Sequence, residues 1–399
     1  ALVTADINPE LSAQTISRAL EKLPGSLSEY APDGIYPEGP TYWGYGTSYT
    51  VVAANSLKTA LGSDFGISKS PGFMESPSFV LQATAPSGEA FNFADCGSTN
   101  RGRVAVLMTW FASKTGDDLY LDSEFFAKPE NMGRMAAPGL IWLSQFEKKK
   151  SSSLTTQWHG NGKNPVAIFR DKENDFYLGA KGGKAHLSHG NMDAGTFVFE
   201  LNGVRWVIDP GNQSYYPLNK IGFNLSGHCQ DCPRWTLLTK RNDAHSTITV
   251  NDERFNVEGH ARIIEFKEGD QPEVSIDMTD LYFGNLASLK RRFVKENSNS
   301  ILIEDQIEIN DSTKDITWGL MTVADVIPVK NGAILKQDGK ELKLTILSPE
   351  KIQVSVISLD PPPLEIDKTI ENLKRLEIRV PAWIFENNKG VIKVRLTGE

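Results

Sequence analysis

Apolar positions along the chain change their spacing once, near residue 150. Before it they recur at helical spacing. Asn8 and Pro9 read as an N-cap followed by a proline at the first helical position, and Ile16, Leu20 and Leu23 follow until Pro24-Gly25 stops the run. Further helical stretches are expected over 42–61, 103–114, 119–126 and 140–146, with one more short helix around 79–83 inside a Gly-, Ser- and Pro-rich loop from 62 to 102. Lys148 to Ser153 reads as a linker. Beyond it the period falls to two, and strands are expected over 165–169, 176–180, 246–250, 261–266, 273–278, 290–296, 300–309, 316–322, 342–347, 352–358, 376–380 and 390–396. The fold class predicted is multidomain, α then β: a helical domain over 1–150 and an antiparallel β-sandwich over 151–399.

Between these strands lies the segment richest in chemistry, His186 to Gly211. Asn202-Gly203 predicts a type I′ hairpin turn, since both residues accept positive φ. Counting outward pairs Leu201 with Val204, Phe199 with Trp206, Phe197 with Ile208 and Thr196 with Asp209, and sets Glu200 opposite Arg205 as a cross-strand charge pair. Asp209 then emerges at the hairpin's open end, beside the loop that carries His189, Asn191 and Asp193. Downstream, His245 opens a strand through Val250. An Asp, a His and a further side-chain donor from neighbouring strands suit a cation with positions left for water or substrate. The plainer reading makes His189 and Asn191 loop caps and His245 a hydrogen-bonded core histidine.

A second cluster runs from Asp33 to Gly46 into the helix expected at 42–61. Tyr42, Tyr45 and Tyr49 share a helix face, Glu38 lies near its N-terminus, and glycines at 39, 44 and 46 leave room for a ligand to approach the rings. An aromatic packing stripe is the alternative. A phenol, with a reference pKa of ~10, works as acid or base only beside cations or a metal.

Bulk properties narrow the partner. The 399 residues suffice for two domains, and 40% hydrophobic with 23% charged residues is ordinary globular composition. A net charge of −8 argues against nucleic acid, and no apolar run is long enough to span a bilayer. Local cations (Lys181, Lys184, Arg205, Arg234, Lys240 and Arg241) lie near the candidate site in sequence and could meet an anionic polymer or simply face solvent. Three cysteines are too few for a disulfide framework, and His228-Cys-Gln-Asp-Cys232 reads as a loop crossing or local disulfide rather than a metal motif.

The run H-G-N-M-D-A-G-T-F, then G-V-R-W-V-I-D-P-G, then A-H-S-T-I-T-V, together with E-G-P-T-Y-W-G, resembles the heparinase II/III-like family of polysaccharide lyases over essentially the whole chain. The resemblance implies a partial (α/α) toroid followed by a multi-sheet β-sandwich, and β-elimination on uronic-acid glycans such as heparan sulfate or alginate. It implies Tyr42 as the catalytic tyrosine, with Tyr45 next in register, and His189 facing substrate. Asp209 and His245 match metal ligands, and Asn191 falls where a second histidine usually ligates. The expected metal is Zn²⁺, with Ca²⁺ the alternative because a carboxamide oxygen suits a harder ion. Candidate substrate contacts are Glu38, Trp43, Arg205 and Arg234. The family's carboxylate-neutralising Asn/His pair lies upstream of its tyrosine, yet no histidine precedes Tyr42 here. Helices upstream of Ala1, or from another chain, are therefore expected to complete the toroid. The expected partner is an acidic polysaccharide, with neither nucleic acid nor membrane, a homodimer as the assembly, and a periplasmic or secreted location. A non-catalytic carbohydrate-binding relative, or a glycoside hydrolase using Glu38 and Asp193, are the alternatives.

Overall fold

The computed structural model describes residues 1–99, 101–128, 133–282 and 284–398. The chain divides into two compact units. The first comprises Ala1–Ala83, Thr99–Leu154 and Gly160–Gly162; the second comprises Thr84–Ser98, Thr155–His159 and Lys163–Glu399. Residues 84–98, expected within the helical half, therefore belong to the β unit.

The helical unit contains α1 (Pro9–Leu27), α2 (Gly39–Leu61), α3 (Ser76–Gln82), α4 (Arg101–Thr115), α5 (Ser123–Phe126) and α6 (Ala136–Ser144). Asn8 caps α1 as its sequence predicts, its side-chain oxygen accepting from Leu11 N at 3.1 Å. The stop expected at Pro24-Gly25 is overrun, and α1 continues to Leu27. Pro24 removes one donor a single turn from the end, where few hydrogen bonds remain to lose. The single helix expected at 119–126 is broken. Asp117 accepts from Leu119 N and Asp122 from Phe125 N, so two aspartates start two separate short turns. The core of this unit is aromatic: Trp43, Phe73, Trp110 and Phe111 are packed ring against ring. Among the described residues no helix is long and apolar enough to cross a membrane.

The β unit holds three antiparallel sheets. The first has order β1-β2-β3-β4-β5, from β1 (Gln157–Gly160), β2 (Val166–Asp171), β3 (Phe176–Lys181), β4 (Phe197–Leu201) and β5 (Val204–Val207). The second has eight strands, β12-β13-β14-β17-β10-β9-β8-β7, and the third four, β15-β16-β11-β6. Here β6 is Ile248–Val250, β7 Arg262–Lys267, β8 Glu273–Asp277, β9 Ser288–Asn297, β10 Ser300–Glu308 and β11 Asp315–Thr322. The rest are β12 (Asp325–Val329), β13 (Gly332–Gln337), β14 (Lys340–Ser348), β15 (Val354–Ser358), β16 (Lys374–Pro381) and β17 (Lys389–Gly398). One hydrophobic cluster draws residues from all three sheets, which defines a sandwich core. Strands β1, β12 and β13 lie outside the sequence expectation.

The hairpin forms with Asn202 at φ 56° and Gly203 at φ 74°. Leu201 faces Val204 and Glu200 faces Arg205, but a bulge then sets Phe199 against Val207 instead of Trp206. Trp206 is the extra residue, and its indole N–H donates to Leu201 O at 3.2 Å. The ladder pairs expected further out are replaced. Ile208 N donates to Met321 O of β11, so the chain leaves the first sheet for the third before reaching Asp209. Buried Arg291, paired with Asp305 at 2.7 Å, donates to both Gly195 O and Ser246 O and so ties the loops before β4 and β6 together.

Candidate functional site

Four chain segments of the β unit meet at the hairpin's open end. The carboxylate of Asp209 lies 2.8 Å from His245 Nδ1, and its other oxygen accepts from Gly211 N at 2.9 Å. Both side chains are fully buried. Burial alone would lower the pKa of His245, but the charge and hydrogen bond of Asp209 outweigh it and raise it. Gly211, at φ 58°, is required there: a side chain would collide with Asn92 and the Cys96 carbonyl. Asn92 in turn donates to Asp209 O at 3.0 Å.

That contact comes from residues 91–96, a segment without hydrophobic period that sequence reading leaves as loop. It lines the site throughout. Ala94 N donates to Asp193 at 2.7 Å, Asn191 donates to Ala94 O at 2.8 Å, and Asp95 N donates to His189 O at 3.1 Å. Asp95 itself is buried and central. It accepts from Tyr215 Oη and from the Lys240 ammonium. His189 Nδ1 lies 2.9 Å from Tyr215 Oη and 3.4 Å from Asp95, its ring nearly parallel to the tyrosine's. Because the phenol O–H donates to Asp95, the imidazole Nδ1–H donates to the phenol oxygen. That order fixes the tautomer with its lone pair on Nε2. His189 also holds a left-handed backbone at φ 55°, a conformation costly for a residue with a side chain.

Burial pushes the Lys240 ammonium down to about 7, and neighbouring Lys368 adds to the shift. Lys181 is equally buried, 2.6 Å from Asp193. Neither lysine faces solvent or a polymer, which corrects that expectation. Arg205 is buried on Glu200 at 2.6 Å and on the carbonyls of Ala90 and Glu89, so its donors are spent inside the fold and it is not a substrate contact. Arg234 is 2% exposed and donates to Gly190 O, Leu225 O and His228 Nε2; burial lowers its pKa to about 10. It braces the turn after His189 rather than reaching a ligand. Cys229 and Cys232 form a disulfide in the loop leading to it.

In the helical unit, Trp43 is fully buried against Phe111, so its assignment as a substrate contact is also corrected. Tyr42 is half-buried on the first turns of α2 and Glu38 occupies that helix's N-cap position. Tyr45 is 51% exposed, edge-on to Tyr49 and 5.7 Å from the Arg103 guanidinium. Its pKa is raised, chiefly by the hydrogen bond with Tyr49.

Two buried atoms beside Asp209 and its loop have no hydrogen-bond partner: Asn191 Oδ1 and His245 Nε2. Both are lone-pair donors, and an unpaired buried donor atom is what a small cation would satisfy. Among the described residues no group of three or more His, Cys, Asp or Glu side chains could hold a metal, so any such site must recruit the carboxamide. With that ligand counted, Asn191 Oδ1 and His245 Nε2 are the atoms left open to a cation, while Asp209 holds the opposite ring nitrogen of His245.

The sequence profile described as Heparinase II/III-like, C-terminal matches residues 166–391, more than half of the chain. No curated protein matches. Among solved structures, heparan sulfate lyase HepC from Pedobacter heparinus aligns at 16% identity with a TM-score of 0.65, covering 96% of this chain and 55% of that one. A heparinase III crystal structure aligns at 14% identity and a TM-score of 0.62, covering 96% and 56%. A second heparinase III gene product gives 13% and 0.62, covering 97% and 55%. The chain thus spans a little over half the length of the lyases whose fold it shares. Profile and fold agree: the chain belongs to the heparinase II/III-like family.

Proposed function

We propose that the protein is a polysaccharide lyase that cleaves uronic-acid glycans by β-elimination, with His189 as the base. The hydrogen-bonded chain from Lys240 through Asp95 and Tyr215 to His189 carries this reading. It leaves the imidazole oriented, in one tautomer, and backed by a buried carboxylate that stabilises the imidazolium once it forms. In the reaction His189 Nε2 takes the C5 proton, the C5–H electron pair becomes the C4=C5 bond, and the C4–O4 bond breaks with O4 receiving a proton. The substrate carboxylate must be neutralised for the C5 proton to become acidic enough. Tyr42 and Tyr45, implied by family resemblance, are the candidate donors to O4, while the Tyr215 phenol, committed to Asp95, orients His189.

A cation, Zn²⁺ or Ca²⁺, held by Asn191 and His245 with Asp209 orienting the imidazole, would supply a fixed charge that locks the end of the hairpin in place. Metal analysis of the purified protein, with melting measured before and after chelation, tests it. The Cys229–Cys232 disulfide suits a periplasmic or secreted location. The hydrolase alternative loses one of its two carboxylates, because Asp193 is buried and engaged by Lys181 and Ala94 N.

The deciding assay incubates the protein with a panel of uronate polymers and follows two signals. Elimination raises the ultraviolet absorbance of an unsaturated uronate in step with new chain ends. New reducing ends without that absorbance would mean hydrolysis, and binding without either would mean a non-catalytic module. Tyr42→Phe and Tyr45→Phe, compared in kcat, identify the acid.

A further inference from the structure

The helical unit contains a cavity of about 470 Å³ that no step above uses. It lies at the C-terminal half of α2, lined by Asn55 and Lys58 of that helix, Lys69, and Trp110 and Lys114 of α4. Lys58 is sixteen residues beyond Tyr42, about 24 Å along the helix axis. Its volume falls in the small-molecule range of about 300–1,000 Å³.

Three ammonium groups face one carboxylate, Asp64, and that carboxylate is already engaged. It accepts from Gly66 N, Ser68 N and the Ser68 hydroxyl, which fold the 64–68 turn. Lys58 donates to Gly62 O at 2.8 Å, while Lys69 and Lys114 make no ion pair among the described residues. The Lys114 ammonium lies 5.6 Å from the Trp110 ring centroid. Trp110 is 2% exposed, and its indole N–H is a buried donor without an acceptor. The cavity wall therefore sets three ammonium groups against one carboxylate, beside the Trp110 ring and the Asn55 carboxamide, a net positive lining.

We infer that this cavity is a binding site for a small polyanion, a polar ligand bearing two or more sulfate or phosphate groups. Lysines suit it as point charges on oxyanions. The site does not depend on the lyase reading, since it is read by binding alone.

The test titrates the intact protein, labelled at its tryptophan indoles, with a disulfated disaccharide, its desulfated form, and a hexose bisphosphate. The Trp110 indole resonance, assigned with Trp110→Phe, should shift and saturate with at least one charged ligand and not with the desulfated one. Whichever charged ligand binds more tightly identifies the source of the oxyanion. Lys69→Ser combined with Lys114→Ser should weaken Kd about tenfold or more, and replacing both with arginine should retain binding. Charged ligands that leave the Trp110 resonance unmoved, or that bind the serine double variant as tightly as the parent, would overturn the inference.

Discussion

His189 pays for its position with a left-handed backbone, and Asp95, Tyr215 and Arg234 hold it there: Arg234 through Gly190 O, the others through the imidazole. Replacing His189 with alanine should remove the base and lower kcat by roughly 10²–10⁴-fold with little change in folding. Asp95→Asn should behave differently. It leaves Lys240 buried without its carboxylate, at a cost of about 3–5 kcal/mol in stability, and restores much of that when combined with Lys240→Met. Chemical denaturation of the two single variants and the double variant closes that cycle; a double variant no more stable than Asp95→Asn alone would refute the pairing. Asp209 and His245 were legible in the sequence because each lies at a strand or hairpin end that local pattern defines, and His189 because it stands in the polar loop leading into that hairpin. Asp95 was not, since its partners are 94 to 145 residues away and its own segment has no period. Tyr215 was closer to hand. It follows Asp209 by six residues, just after the chain-turning Pro210-Gly211, and a polar aromatic so near a candidate ligand was the available signal.

At the level of elements, the hairpin shows how far a turn rule reaches. Asn202-Gly203 sets the first two pairs, and the bulge beyond them depends on how Trp206 packs, which alternation cannot reveal. The same turn chemistry stands at Asp338-Gly339, which joins β13 to β14 and which the sequence reading passes over. Pro328 hides the partner strand, because proline argues against a central strand; β12 is in fact the edge of its sheet, where proline is tolerated. Glu200 opposite Arg205 is the cross-strand pair that pattern did reach, and its burial changes its meaning. Arg205→Met should strand a carboxylate that is 1% exposed and destabilise the protein by about 3–5 kcal/mol, while KM for any uronate substrate stays near the parent value. A raised KM in a protein of normal melting temperature would instead return Arg205 to the substrate.

Across the whole molecule the two units carry their acid sensitivity in different groups, and in the helical unit it concentrates on Asp117. Burial alone would raise this carboxyl, but hydrogen bonds from Ser152 and Leu119 N and the Lys150 ammonium hold it down at about 2. A folded pKa below the unfolded value of 3.8 means the stabilisation is complete above that value and is lost as pH falls through about 2. The shift corresponds to roughly 2 kcal/mol. The same carboxylate ties residues 150–152 to the turn after α4, so its protonation releases the end of the helical unit's chain. Hydrogen exchange between pH 4 and 2 should therefore show protection falling first around residues 115–121 and 148–152. Asp117→Asn should bring that loss to neutral pH and flatten the dependence below it. Exchange in these segments that is indifferent to both acid and the substitution would show that the helical unit does not rest on this carboxylate.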